Sequence, residues 1–89
     1  MHTGELLMIA AKVAELSGEA IQAEQLYRRA VRYYEKKHGD DSVQAAQVLM
    51  ELGDFLEKKN RLSEAKECYE RMRQILTRHV YESDQTKQS

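Results

Sequence analysis

Residues 49–69 read LMELGDFLEKKNRLSEAKECY, and two interpretations compete for them. Asp54, Glu57, Glu64, Glu67 and Cys68, with His79 further on, are groups that do chemistry elsewhere. The same stretch also has the apolar spacing of two helices meeting at a turn. Leu49, Leu52 and Leu56 recur every three or four residues and so share one helix face, and Asn60 breaks the pattern before Leu62, Ala65, Tyr69 and Met72 resume it. Asparagine is one of the few residues that closes a helix in the left-handed conformation. The stretch therefore reads as helix, turn, helix.

Working outward, the third helix buries Ala45, Leu49, Leu52 and Leu56, flanked by Ala46, Val48, Gly53 and Phe55, and runs to about Lys59. Asp40-Asp41-Ser42 precedes it, with Asp41 expected as N-cap and Gln44 placed to complete a capping-box-like pair. Before that, Ala20, Ala23, Tyr27, Ala30 and Tyr34 form the stripe of a second helix that stops at Lys36-Lys37-His38-Gly39, cations in a last turn followed by glycine. The first helix carries two stripes, Leu7, Ala10, Ala11 and Ala14 on one side and Leu6, Ile9, Val13 and Leu16 on another, and ends at Ser17-Gly18. Ile75, Leu76 and Val80 extend the fourth. The expected fold is all-α, with four antiparallel helices arranged as two stacked hairpins. The domain spans 4–81, in halves of about 4–39 and 41–81, followed by a disordered tail at 82–89.

Composition agrees with a small helical domain. The chain has 89 residues, 42% hydrophobic and 33% charged, with four glycines and no proline. Fourteen basic against fifteen acidic residues give a formal net charge of −1. With no run of like charge, this argues against nucleic acid or an anionic membrane as the main partner. One cysteine makes no internal disulfide, so a cytoplasmic setting is the default. The longest apolar run, Leu6 to Ala11, falls far short of the ~20 residues of a membrane span.

Sliding the chain against itself by 42 residues sets Leu7 on Leu49, Met8 on Met50, Glu15 on Glu57, Ala23 on Ala65, Tyr27 on Tyr69 and Arg29 on Arg71, and it sets Gly18 on Asn60. A repeat of this kind resembles the tetratricopeptide repeat. Leu49-x-x-Leu52-Gly53-x-x-Leu56 followed by Ala65-x-x-x-Tyr69-x-x-Met72 carries the resemblance; Leu7-x-x-Ala10-Ala11-x-x-Ala14 followed by Ala23-x-x-x-Tyr27-x-x-Ala30 repeats it less completely. Small residues at Ala11 or Gly53 and at Ala23 or Ala65 let two backbones approach while the tyrosine fills the adjoining groove. The repeat length resembles the long-helix variety of kinesin light chains, although the proline usual near Ser42 is absent.

The resemblance implies a protein-interaction module, an adaptor or scaffold that takes a peptide or helix on a concave side lined by the first helix of each pair. Position by position, that side holds Glu5, Met8 and Lys12 from the first helix and Gln47, Met50 and Asp54 from the third. Family members that clamp a C-terminal carboxylate do so with lysine and asparagine, whereas here Met8 and Glu51 occupy clamp positions and only Lys12 contributes. A chaperone-tail receptor is therefore disfavoured.

The stripe Leu6, Ile9, Val13 and Leu16 needs a cover, because terminal repeats normally turn a polar face outward. It is expected to self-associate as a homodimer, or to meet sequence beyond this chain; the opposite end, with Arg71, Gln74 and Arg78 outermost, is expected to be better solvated. The tempting reactive residues have plainer roles. Cys68 sits beside Tyr69 on the packing face, His38 and His79 lie in last helical turns, and Glu67 with Arg71 has the i,i+4 spacing of a solvated face. No His-x-x-x-His, Cys-x-x-Cys or phosphate-binding glycine loop occurs, so neither enzyme activity, cofactor nor metal is expected.

Overall fold

Left-handed residues end the first and third helices. In the computed structural model, which describes residues 2–40 and 42–88 and side chains as far as Glu82, Gly18 has φ 81° and Asn60 φ 62°. Behind them the same bonds close the helix. The Gly18 N–H donates to the Glu15 carbonyl at 3.1 Å and that of Glu19 to Ala14 at 2.9 Å, while Asn60 donates to Glu57 and Arg61 to Leu56, both at 2.9 Å. Each pair satisfies carbonyls that a helix end leaves without an internal partner.

These turns and Gly39 (φ 93°) delimit α1 (Thr3–Leu16), α2 (Ala20–His38), α3 (Val43–Lys58) and α4 (Leu62–Gln88). α1 packs on α2, α2 on α3 and α3 on α4, and no strand occurs among the described residues. The class is all-α, built of helical hairpins as the periodicity requires.

The core follows the expected stripes. Tyr27, Val48, Leu52, Phe55 and Leu56 are its largest fully buried side chains, each contributing about 1.5–3 kcal/mol in area removed from water. The Tyr27 and Phe55 rings meet at 5.8 Å between α2 and α3. Ala11, Ala23, Ala30 and Ala45 are completely buried, as close helix crossings demand. At Gly53 the approach leaves no room for a side chain, since a Cβ there would stand 2.6 Å from Cε1 of Tyr69. The tyrosine ring occupies the space that the missing side chain leaves.

Three local expectations are corrected. Asp41 lies outside the described residues, and the N-cap of α3 is Ser42, whose buried Oγ accepts the Ala45 N–H at 3.0 Å. Gln44 does not close a capping box onto the backbone; its Oε1 accepts from the Ser42 hydroxyl at 3.1 Å. Arg71 does not turn to Glu67 but crosses to α2, donating to Glu35 at 2.7 Å and to the Asp40 carbonyl at 3.3 Å.

The backbone of α4 continues to Gln88, into the stretch expected as a disordered tail at 82–89; Ser89 lies outside the described residues. Residues 82–88 contain no glycine or proline, and a helix ladder propagates locally until something stops it. The extra turns make the molecule elongated, 50 × 33 × 17 Å, with a radius of gyration of 14.1 Å against the about 12 Å of a compact chain this long.

Candidate functional site

Ion pairs show which helices lie side by side. Lys12 of α1 pairs with Glu51 of α3, and Lys58 of α3 reaches Glu15 of α1 at 3.5 Å. On the other side, Arg28 of α2 reaches Glu64 of α4 at 3.5 Å, and Glu35 holds Arg71. α1 and α3 thus share one surface, and α2 and α4 share the opposite one.

On the α1/α3 surface, Met8 is half-buried against the core while Lys12, Gln47, Met50 and Asp54 are exposed. A cleft of about 270 Å³ brings Glu5, Met8 and Gln47 together, walled by Ile9, Tyr34 and Val48. Met50 and Asp54 line no part of it. They follow Gln47 along the same face of α3 at i+3 and i+7.

Two of the five expected binding residues already have partners within the chain. Hydrogen bonding to Glu51 holds the Lys12 ammonium above its usual range. The cation available for clamping a carboxylate already carries one. Asp54 accepts the Tyr69 hydroxyl at 2.5 Å, and that bond, with burial, pushes the phenol well above its ordinary value. Met8, Gln47 and Met50 are the members of the set with no such tie among the described residues, and of these Met50 is 43% exposed while Met8 is half-buried.

The tyrosines do more than the sequence suggested. The Tyr27 hydroxyl donates to Glu15 at 2.7 Å, and that of Tyr69 lies 3.4 Å from Glu57, the residue aligned with Glu15. Burial pushes the Glu15 carboxyl up, but the Tyr27 hydroxyl and Lys58 together outweigh it and hold the carboxyl below the ordinary carboxylate value. The identity of Glu15 and Glu57 in the self-alignment was the available signal. A charge cluster that sequence reasoning missed lies at the start of α4, where Arg61 bonds Glu64 at 2.8 Å and Glu24 at 3.1 Å, and Arg28 bonds Glu24 at 3.0 Å. Arg61 holds the Glu24 carboxyl below its ordinary value despite partial burial. Glu24 with Arg28 and Arg61 with Glu64 fall at helical spacing, but no spacing announces the Arg61–Glu24 pair that joins them.

Both ends of the stack are apolar. Leu6, Ile9, Val13 and Leu16 on α1 are 50%, 59%, 56% and 86% exposed. At the far end Arg71, Gln74 and Arg78 are exposed as expected, but Leu76 and Val80 are also 39% and 60% exposed and line an open cleft of about 440 Å³ with Tyr69, Met72 and Arg73. Cys68 is buried, which pushes its thiol up and away from reactivity, and His38 stacks on Tyr34 at 6.1 Å. No three His, Cys, Asp or Glu side chains gather as a metal-ligating set among the described residues. No helix among them is long and apolar enough to cross a membrane.

Helical hairpins packed one on the next, with small residues beneath a tyrosine, define an α-solenoid repeat protein. The family model of the tetratricopeptide repeat matches residues 3–78, and the chain belongs to that family. Such repeats generally mediate protein–protein interaction. Comparison with curated proteins and with solved structures gave no match.

Proposed function

We propose that this protein is an adaptor or scaffold module that holds a peptide or helix of a partner protein along the α1/α3 surface. Its binding residues are Met8, Lys12, Gln47, Met50 and Asp54, and its two units are 42 residues long, as in the kinesin light chain variety. The recurrence of the Gly18 turn at Asn60, bond for bond, supports that length.

Met50 is the observation that carries the binding role. It is 43% exposed next to Glu51, whose charge Lys12 pairs, and one turn from Asp54, which accepts the Tyr69 hydroxyl. Charge compensated within the chain lowers the demand for a charged partner, and an exposed methionine offers a polarisable, adaptable apolar contact. Gln47 beside it supplies amide donors and acceptors to a backbone. The fitting guest is a segment with an apolar anchor and unpaired main-chain polar groups. The reading includes no catalytic, cofactor, nucleic-acid or membrane role and a cytoplasmic location, in keeping with the near-zero net charge and the single buried cysteine.

The test is partner capture followed by comparison of Gln47→Ala/Met50→Ala with wild type. Asp54 is left intact because its loss would also release Tyr69 from α3. Binding reduced at least ten-fold, with an unchanged melting temperature, is the expected result; unchanged binding would remove the groove assignment.

A second reading is favoured by the exposure of Leu6, Ile9, Val13 and Leu16: the chain is a structural unit that self-associates through α1, in the simplest case as a homodimer. Ile9→Glu that neither alters the solution mass nor the melting temperature would count against it.

A further inference from the structure

The two exposed apolar ends correspond to the two halves of one interface that the chain already contains. Where α2 meets α3, Val48 and Phe55 of α3 are 1% exposed, and Tyr27 and Ala30 of α2 are fully buried. Moving back 42 residues takes Val48 to Leu6 and Phe55 to Val13, which stand half exposed on α1. Moving forward 42 takes Tyr27 to Tyr69, Ala30 to Met72 and Tyr34 to Leu76, which line the open cleft on α4. α1 therefore repeats the α3 side of that interface, and α4 repeats the α2 side. Neither has a partner helix within the chain.

We infer that copies of this chain associate head to tail, the α4 face of one receiving the α1 face of the next in the geometry of the internal α2/α3 contact. The inference rests on the reading of the α1 stripe as a self-association face and adds the surface it meets. Charge agrees with it. Within the chain, Glu24 on α2 is bonded by Arg61, just ahead of α4. The same shifts take Glu24 to Lys66 and Arg61 to Glu19, an opposite pair with its signs exchanged. Lys66 and Glu19 are both exposed, and neither side chain forms an ion pair among the described residues. A like-charged pair there would have opposed the arrangement.

Two α1 faces set against each other would close as a symmetric dimer. The α4/α1 contact joins different surfaces, so each added copy presents a fresh α4 face and a fresh α1 face, and growth does not stop at two.

The test uses two variants at exposed positions of the full chain. Leu6→Glu/Val13→Glu keeps only the α4 face and Leu76→Glu/Val80→Glu keeps only the α1 face, and circular dichroism checks that each is folded. By multi-angle light scattering, wild type should grow beyond two chains with concentration, each variant alone should stay monomeric, and the mixture should form a 1:1 complex. A second pair of variants guards against loss of folding. Lys66→Glu or Glu19→Lys alone should weaken association by about three-fold, the scale of an exposed ion pair, and the two together should recover it. Self-association of Leu76→Glu/Val80→Glu would make α1 meet α1 and overturn the head-to-tail arrangement while leaving α1 as a contact face. A wild type that stays monomeric at high micromolar concentration would overturn self-association altogether, leaving the end faces to some other segment and the groove reading untouched.

Discussion

Gly53 and Tyr69 show how much one missing methyl group decides. Gly53→Ala adds a Cβ 2.6 Å from the Tyr69 ring, an overpacking cost of about 1–3 kcal/mol against a helix-propensity gain of up to about 1 kcal/mol. The net expectation is a melting temperature lower by about 4–8 °C, measured by calorimetry. At Asn60 the backbone conformation is the deciding term: Asn60→Ala should cost about 1–2 kcal/mol at φ 62°, and Asn60→Gly should cost nothing or stabilise. Urea denaturation of the pair ranks them. Both positions were legible in the sequence, because small residues and turn residues occupy fixed places in a helical pattern. The Tyr69 bond to Asp54 was not, since it joins residues on separate helices, and its consequence is that a residue proposed for binding also ties α3 to α4.

Periodicity placed the helices well and their ends less well. Asp41 and Ser42 are both good N-cap residues and stand one position apart, so only the Ser42 to Ala45 bond decides between them. The C-terminal end of α4 lies beyond the apolar pattern: after Val80 and Tyr81 the sequence is polar without periodicity, so no stripe announces the helix. Truncation after Glu82 should leave the melting temperature within about 4 °C of wild type, since changes confined to polar surface sequence shift stability by no more than about 0.5 kcal/mol.

The Glu24 cluster at the start of α4 makes stability pH-dependent. Glu15 and Glu24 titrate lower in the folded chain than in the unfolded one, so the unfolded chain binds more protons in the acid range. Their stabilisation is complete above the unfolded value of 4.5 and is lost as pH falls through the folded values. Urea midpoints measured across that range should fall with pH in wild type, and less steeply in Glu24→Gln.

At the scale of the whole molecule, the α1/α3 surface and the two apolar ends are separate assets. The sequence pointed to the α1 stripe through its extra apolar side, but the charges along α4 obscured the equivalent opening there, where Leu76 and Val80 stand 39% and 60% exposed. In the proposed account the ends are where copies meet, and the α1/α3 surface is what holds a partner segment. Amide chemical-shift mapping of a captured partner segment on labelled protein separates these assignments most directly. The account predicts perturbations clustered at Met8, Gln47 and Met50, with the outer surface of α2 and α4 unchanged. Perturbations confined to α2 and α4, with Met50 silent, would contradict it.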